Sequence, residues 1–113
     1  MTHVVFFRDR SSRFIGFSVS GHSGYADEGS DIVCAAVSAC TELILNQLDG
    51  FGCDTDCTVD PESASVRCEI SFASEATNES RDIVHSLLDG FCRTMKDTAD
   101  EYSRFLKCTI TEV

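Results

Sequence analysis

Apolar and polar positions divide the chain into seven segments. Val4 to Phe7 is a short apolar run that reads as a strand. From Ile15 the pattern alternates, with Ile15, Phe17 and Val19 on one face and Gly16, Ser18 and Ser20 on the other. The polar stretch Asp9 to Arg13 between them predicts a turn, so the two strands are expected to pair as a hairpin. Val33, Val37, Cys40, Ile44, Leu48 and Phe51 then step by 4, 3, 4, 4 and 3, which predicts a helix over 31–51. Val84, Leu88, Phe91, Met95, Ala99 and Tyr102 repeat those steps and predict a second helix over 79–102. Leu-Asp-Gly-Phe occurs in both, at Leu48–Phe51 and Leu88–Phe91, and shared packing needs explain the echo as well as duplication does.

Two alternating strands lie between the helices. Cys53, Thr55, Cys57 and Val59 share one face of the first, opposite Asp54, Asp56 and Asp60. In the second, Ala64, Val66, Cys68, Ile70 and Phe72 face in, while Ser65, Arg67, Glu69 and Ser71 face out. A last strand carries Leu106, Cys108 and Ile110 on one side. The order ββαββαβ predicts an α+β fold. Its mixed or antiparallel five-stranded sheet would have one wet face and two helices on the other.

At 113 residues the chain is expected to be one domain, 1–113. Its apolar runs are short, which argues against a membrane span of about 20 residues. The first residues show no basic leader followed by an apolar stretch, so a cytoplasmic protein is expected. The net charge of −10 argues against direct binding of nucleic acid, which needs a basic face. The acidity is uneven: Phe14 to Val66 holds nine Asp and Glu and no Lys or Arg, a better match to a basic protein partner.

Seven cysteines in a protein expected to be reduced raise the question of which thiol does chemistry. Cys40, Cys53, Cys57, Cys68 and Cys108 fall on core faces, where cysteine packs as a small hydrophobe. A metal site on Cys53, Cys57 and Cys68 is disfavoured. Residues i and i+4 of a strand stand about 13 Å apart, too far for two zinc–sulfur bonds of about 2.3 Å. Cys92 flanks the second helix and reads as structural or surface.

Cys34 differs. It follows Gly29-Ser30-Asp31, a helix-start signal. With Asp31 as N-cap, its carboxylate is expected to accept from the N–H of Val33 or Cys34. Cys34 then occupies the first turn, where the positive end of the helix dipole favours a thiolate. His22 lies just past the strand ending near Ser20, in the glycine-rich segment Gly21 to Ser30. A strand end and the next helix start share one rim of a sheet, so His22 and Cys34 are expected to meet. One imidazole can then deprotonate the nucleophile and protonate the leaving amine. His3, at a terminus expected to fray, and His85, expected at the surface, are poorer partners.

The block Gly21-His22-Ser23-Gly24-Tyr25-Ala26, followed by Gly29-x-Asp31-Ile32-Val33-Cys34-Ala35-Ala36-Val37-Ser38, carries a family pattern. It resembles the G-H-x-G-Y-A…G-x-D-I-V-C-A-A-V-S block of the bacterial ribosomal-processing cysteine protease family, Prp. The resemblance implies a small homodimeric cysteine endopeptidase. Such enzymes remove a short N-terminal extension from the large-subunit ribosomal protein twenty-seven, cutting after an aromatic pair. It implies Cys34 as nucleophile and His22 as general base and acid, with Asp31 at a matching motif position. No metal or organic cofactor is implied.

Asp31 carries two readings, a third triad member orienting the imidazolium and a helix cap. Ser38, one turn beyond Cys34, is a possible supporting residue, or bonds back to its own helix. Gly21, Gly24 and Gly29 are expected as hinges of a substrate loop that also carries Tyr25. N–H groups at the helix start, that of Cys34 included, are expected oxyanion donors. Two rival classes stand beside the protease: a non-enzymatic acidic ribosome-associated binding module, and a redox sensor acting through Cys34.

Overall fold

The computed structural model describes residues 1–21 and 31–113. The elements run β1 (Thr2–Arg8), β2 (Phe14–Ser20), α1 (Ile32–Asp49), β3 (Cys53–Asp60), β4 (Ser65–Phe72), α2 (Asn78–Glu101) and β5 (Leu106–Glu112). This is the expected ββαββαβ order. The five strands form one mixed sheet in the order β3-β4-β2-β1-β5. β1 pairs in parallel with β5, and all other pairs are antiparallel.

One core forms between the sheet and the two helices. From the sheet come Val4, Phe6, Phe14, Phe17, Cys53, Cys68 and Leu106. α1 contributes Val33, Val37, Ile44 and Leu48; α2 contributes Val84, Leu88, Phe91, Cys92 and Met95. Both helical stripes thus face the core as their spacing predicts. Phe91 stands edge-on to Phe6 at 5.1 Å and 76°, and to Phe17 at 5.2 Å and 89°. Each such pair adds about 0.5–1.5 kcal/mol beyond the area it buries.

Strict alternation fails in β2. Ile15, expected to face in, is 39% exposed, and Phe14 is the buried residue at 8%. The cause is a register shift: Phe7 pairs with Gly16 and Arg8 with Phe14, so Ile15 is an extra residue. A bulge of this kind inverts the alternation beyond it. It puts Phe14 beside Phe6, with ring centroids 5.5 Å apart.

Cys57 is a second departure. It is exposed and forms a disulfide with Cys68. The two residues are direct cross-strand partners in the β3–β4 hairpin, with Cα atoms 4.2 Å apart. That spacing belongs to the closer type of antiparallel pair, where side chains touch. Cys57 shares the face of buried Cys68 but lies on the edge strand, whose outer end leaves Val59 65% exposed. Edge strand β3 also presents Asp54 and Asp56, charges that discourage pairing with another chain.

α1 meets the length and apolarity of a membrane-crossing helix, with mean hydropathy 1.3 over Ile32–Asp49. The expectation from short apolar runs overlooked this, because its two acids, Glu42 and Asp49, interrupt the runs without making the helix polar. In the structure Val33, Val37, Ile44 and Leu48 pack into the core, while Ile32 and Leu43 are exposed.

His85 is half-buried rather than at the surface, with its ring against Phe72 and its Nδ1 buried without a partner. Burial and then the positive charge of Arg13 lower its pKa, against the opposing fields of Asp82 and Asp9; Arg81 also lowers it. The unfolded chain therefore takes up a proton before the native state does. Stability falls as pH drops through and below 6.5, the ordinary histidine value. His85→Gln is expected to lose less stability between neutral and mildly acid pH than wild type, read from urea midpoints. An equal loss would contradict this assignment. The bulge yields a second comparison. Phe14→Ala is expected to cost about 3–5 kcal/mol and Ile15→Ser within about 0.5 kcal/mol, the reverse of what alternation alone predicts.

Candidate functional site

Chemistry sorts the cysteines once the fold is known. Cys57 and Cys68 have no thiol to offer, being bonded to each other. That also removes two of the three sulfurs considered for a metal. Among the described residues no group of three His, Cys, Asp or Glu side chains is placed to hold an ion. Burial and the neighbouring Asp54 push the Cys53 thiol up to about 11. Burial and the adjacent Cys92 push Cys108 up to about 12, and burial raises Cys92 as well. These three stay protonated at neutral pH and are poor nucleophiles. Cys92, read from sequence as structural or surface, is buried. Cys34 and Cys40 remain, both half-buried.

Cys40 lines a cleft between α1 and α2 of about 290 Å³ with Leu43, Ile44, Leu87, Gly90 and Phe91. Gln47, Ser86 and Thr94 also line it, and among the described residues no other titratable side chain stands in it. Cys34 sits on the first turn of α1, where the local sequence builds a different environment. Asp31 has extended backbone (φ −81°, ψ 99°) and caps the helix. Its Oδ1 accepts from the N–H of Val33 and of Cys34, both at 3.0 Å. Its carbonyl accepts from Ala35 N–H at 3.1 Å. The capping expected of Asp31 is present.

That cap occupies an expected oxyanion donor. The N–H of Cys34, expected to face a reacting carbonyl, is engaged by the Asp31 carboxylate. The carboxylate satisfies two orphan donors of the helix start.

A residue that sequence reading passed over completes the described part of the site. Thr2 is only 2% exposed, the one buried polar side chain among the described residues. Its Oγ1 lies 3.9 Å from Cys34 Sγ, within hydrogen-bond reach of sulfur. Its N–H donates to the Phe105 carbonyl at 2.9 Å, and it pairs with Leu106 in β5. The sequence held one clue: Thr2 falls in phase with Val4 and Phe6, so a hydroxyl stands on a core face.

Gly21 has φ +78°, and a Cβ there would collide with the Met1 carbonyl oxygen. Glycine is therefore required where β2 ends against the start of β1. His3 belongs to β1, contrary to the expected fraying, and alternation puts it on the sheet face opposite Thr2 and Cys34. Ser38 is exposed on α1 one turn beyond Cys34. His22, Gly24, Tyr25 and Gly29 lie outside the described residues.

Known proteins share this fold. A family model described as cysteine protease Prp matches residues 1–107. A crystal structure of the essential ribosomal processing protease Prp from Staphylococcus aureus, in complex with a covalently linked product peptide, is similar at TM-score 0.83. It is 18% identical, with 98% of this chain and 100% of that chain covered. The same S. aureus protease with a substrate peptide matches at TM-score 0.77 and 17% identity, covering 98% and 100%. SMU.848 from Streptococcus mutans matches at TM-score 0.78 and 26% identity, covering 100% and 96%. No curated protein matches the chain. The match over nearly the whole sequence, on the expected fold, establishes that the chain belongs to the cysteine protease Prp family.

Proposed function

We propose that this cysteine protease processes a ribosomal protein, with Cys34 as nucleophile and His22 as general base and acid. The observation that carries the assignment is the place of Cys34. It keeps a half-buried thiol on the first turn of a capped helix, while Cys53, Cys92 and Cys108 are raised by burial and Cys57 and Cys68 are bonded. His22 takes the Cys34 proton, the thiolate attacks the scissile carbonyl, and a tetrahedral oxyanion forms. His22 returns the proton to the departing amine, and water then hydrolyses the thioester. The positive end of α1 stabilises the thiolate and oxyanion electrostatically. This does not require the two N–H groups that Asp31 holds. Asp31 acts in this reading as the cap that fixes the first turn, and Ser38 supports from the neighbouring turn.

The substrate proposed is the N-terminal extension of the large-subunit ribosomal protein twenty-seven, bound along the segment containing Gly21, Gly24, Tyr25 and Gly29. The S. aureus relative is a ribosomal processing protease observed with substrate and product peptides, which supports the substrate class. The acidic stretch from Phe14 to Val66 suits a basic protein. The reading includes a homodimer acting in the cytoplasm on a protein rather than on nucleic acid or a membrane.

Incubation with that ribosomal protein carrying its extension is expected to give one N-terminal trimming event, read by mass spectrometry. Cys34→Ser and His22→Ala are each expected to lower the rate by about 10³-fold or more. Trimming by Cys34→Ser at the wild-type rate would refute the nucleophile; no trimming by wild type would refute the substrate. Asp31→Ala is expected to cost about 1 kcal/mol in urea unfolding. Asp31→Ser, which also caps, is expected to restore stability and cleavage together. Cleavage still lost in a stable Asp31→Ser would instead assign the carboxylate to orienting His22.

A further inference from the structure

We infer that Thr2 is a positioning residue for the reactive sulfur: its buried hydroxyl, 3.9 Å from Cys34 Sγ, supplies a hydrogen bond to the thiolate. The inference deepens the proposed function and rests on Cys34 as nucleophile.

Three observations carry it. Thr2 is 2% exposed, and an alcohol taken out of water without a partner is costly, so its hydroxyl has physical reason to engage the sulfur. The backbone around it is held on two sides. Thr2 N–H bonds to Phe105 O at 2.9 Å, and Gly21 packs its bare Cα against Met1 at the end of β2. The hydroxyl is thus presented from a fixed strand. Finally, Asp31 has taken the N–H groups of Val33 and Cys34, two donors of the helix start. The Thr2 hydroxyl is a donor that still reaches the sulfur.

The proton bookkeeping is simple. In the resting thiol either group can donate. When His22 takes the proton from Sγ, the sulfur has only lone pairs, so Thr2 Oγ1–H becomes the donor and Sγ the acceptor. No covalent bond to Thr2 forms or breaks. A separation of 3.9 Å is long for such a bond, and contacts of this kind tighten as charge develops on the acceptor.

The test compares Thr2→Val, which keeps the shape and removes the hydroxyl, with Thr2→Ser, which keeps the hydroxyl. Two readouts are taken on proteins shown by thermal melting to be folded: iodoacetamide alkylation of Cys34, followed by peptide mapping, and kcat and KM for trimming. Thr2→Val is expected to slow Cys34 alkylation and kcat about tenfold with little change in KM, the effect of losing one hydrogen bond to a charged group. Thr2→Ser is expected to recover most of both. Wild-type alkylation and kcat in Thr2→Val, or a Thr2→Ser protein no faster than Thr2→Val, would overturn the inference. Trimming that survives in Cys34→Ser would sink the underlying nucleophile assignment instead, and the alkylation rates would still decide whether Thr2 acts on the sulfur.

Discussion

Phe91 standing edge-on to both Phe6 and Phe17 is the contact on which the architecture turns. It joins α2 to the neighbouring interior strands β1 and β2, and Phe14 extends the cluster from the bulge in β2. With α2 seated, α1 packs beside it, and Val33 and Val37 draw the first turns of that helix down onto the sheet. The same descent brings Cys34, one residue after Val33, to the beginning of β1, where Thr2 waits. The core and the site are therefore one construction: the stripe that buries α1 also sets where its thiol can go.

The chemistry then depends on how the start of α1 is closed. A helix N-terminus offers N–H donors and a positive potential, and on that ground it looks like a ready anion site. Here a carboxylate already occupies the two donors nearest the thiol. Asp31 closes the helix start by satisfying those donors itself. β1, a short hydrophobic strand, brings the Thr2 hydroxyl to the same thiol from its core face. Cap, strand and thiol thus meet at one place, where the side chain that closes the helix and the one proposed to serve the sulfur are different.

Much of the fold was legible in the chain. The helical stripes from Val33 to Leu48 and from Val84 to Met95 lie where their spacing placed them, because long amphipathic helices leave a strong periodic trace. Ile15 misled because one bulged residue inverts a two-residue period, and nothing in the composition of β2 marks the extra residue. Cys57 misled for a related reason: the face of a strand can be read, but how far the helices extend over that face cannot. The disulfide followed from register, a pairing fact between β3 and β4. Asp31 and Cys34 were legible because capping is local. Thr2 was not singled out, because its meaning lies in the meeting of residues thirty-two positions apart.

The central claim is that one cysteine among seven is the nucleophile, chosen by position. The most direct measurement is covalent trapping with a peptide chloromethyl ketone that ends in the aromatic pair of the proposed cleavage site. The modified protein would then be digested and its cysteine-containing peptides mapped by mass spectrometry. The account predicts a single adduct on Cys34, formed at equal stoichiometry and blocked by excess substrate peptide. An adduct on Cys40, the other half-buried thiol, with Cys34 unmodified would contradict it.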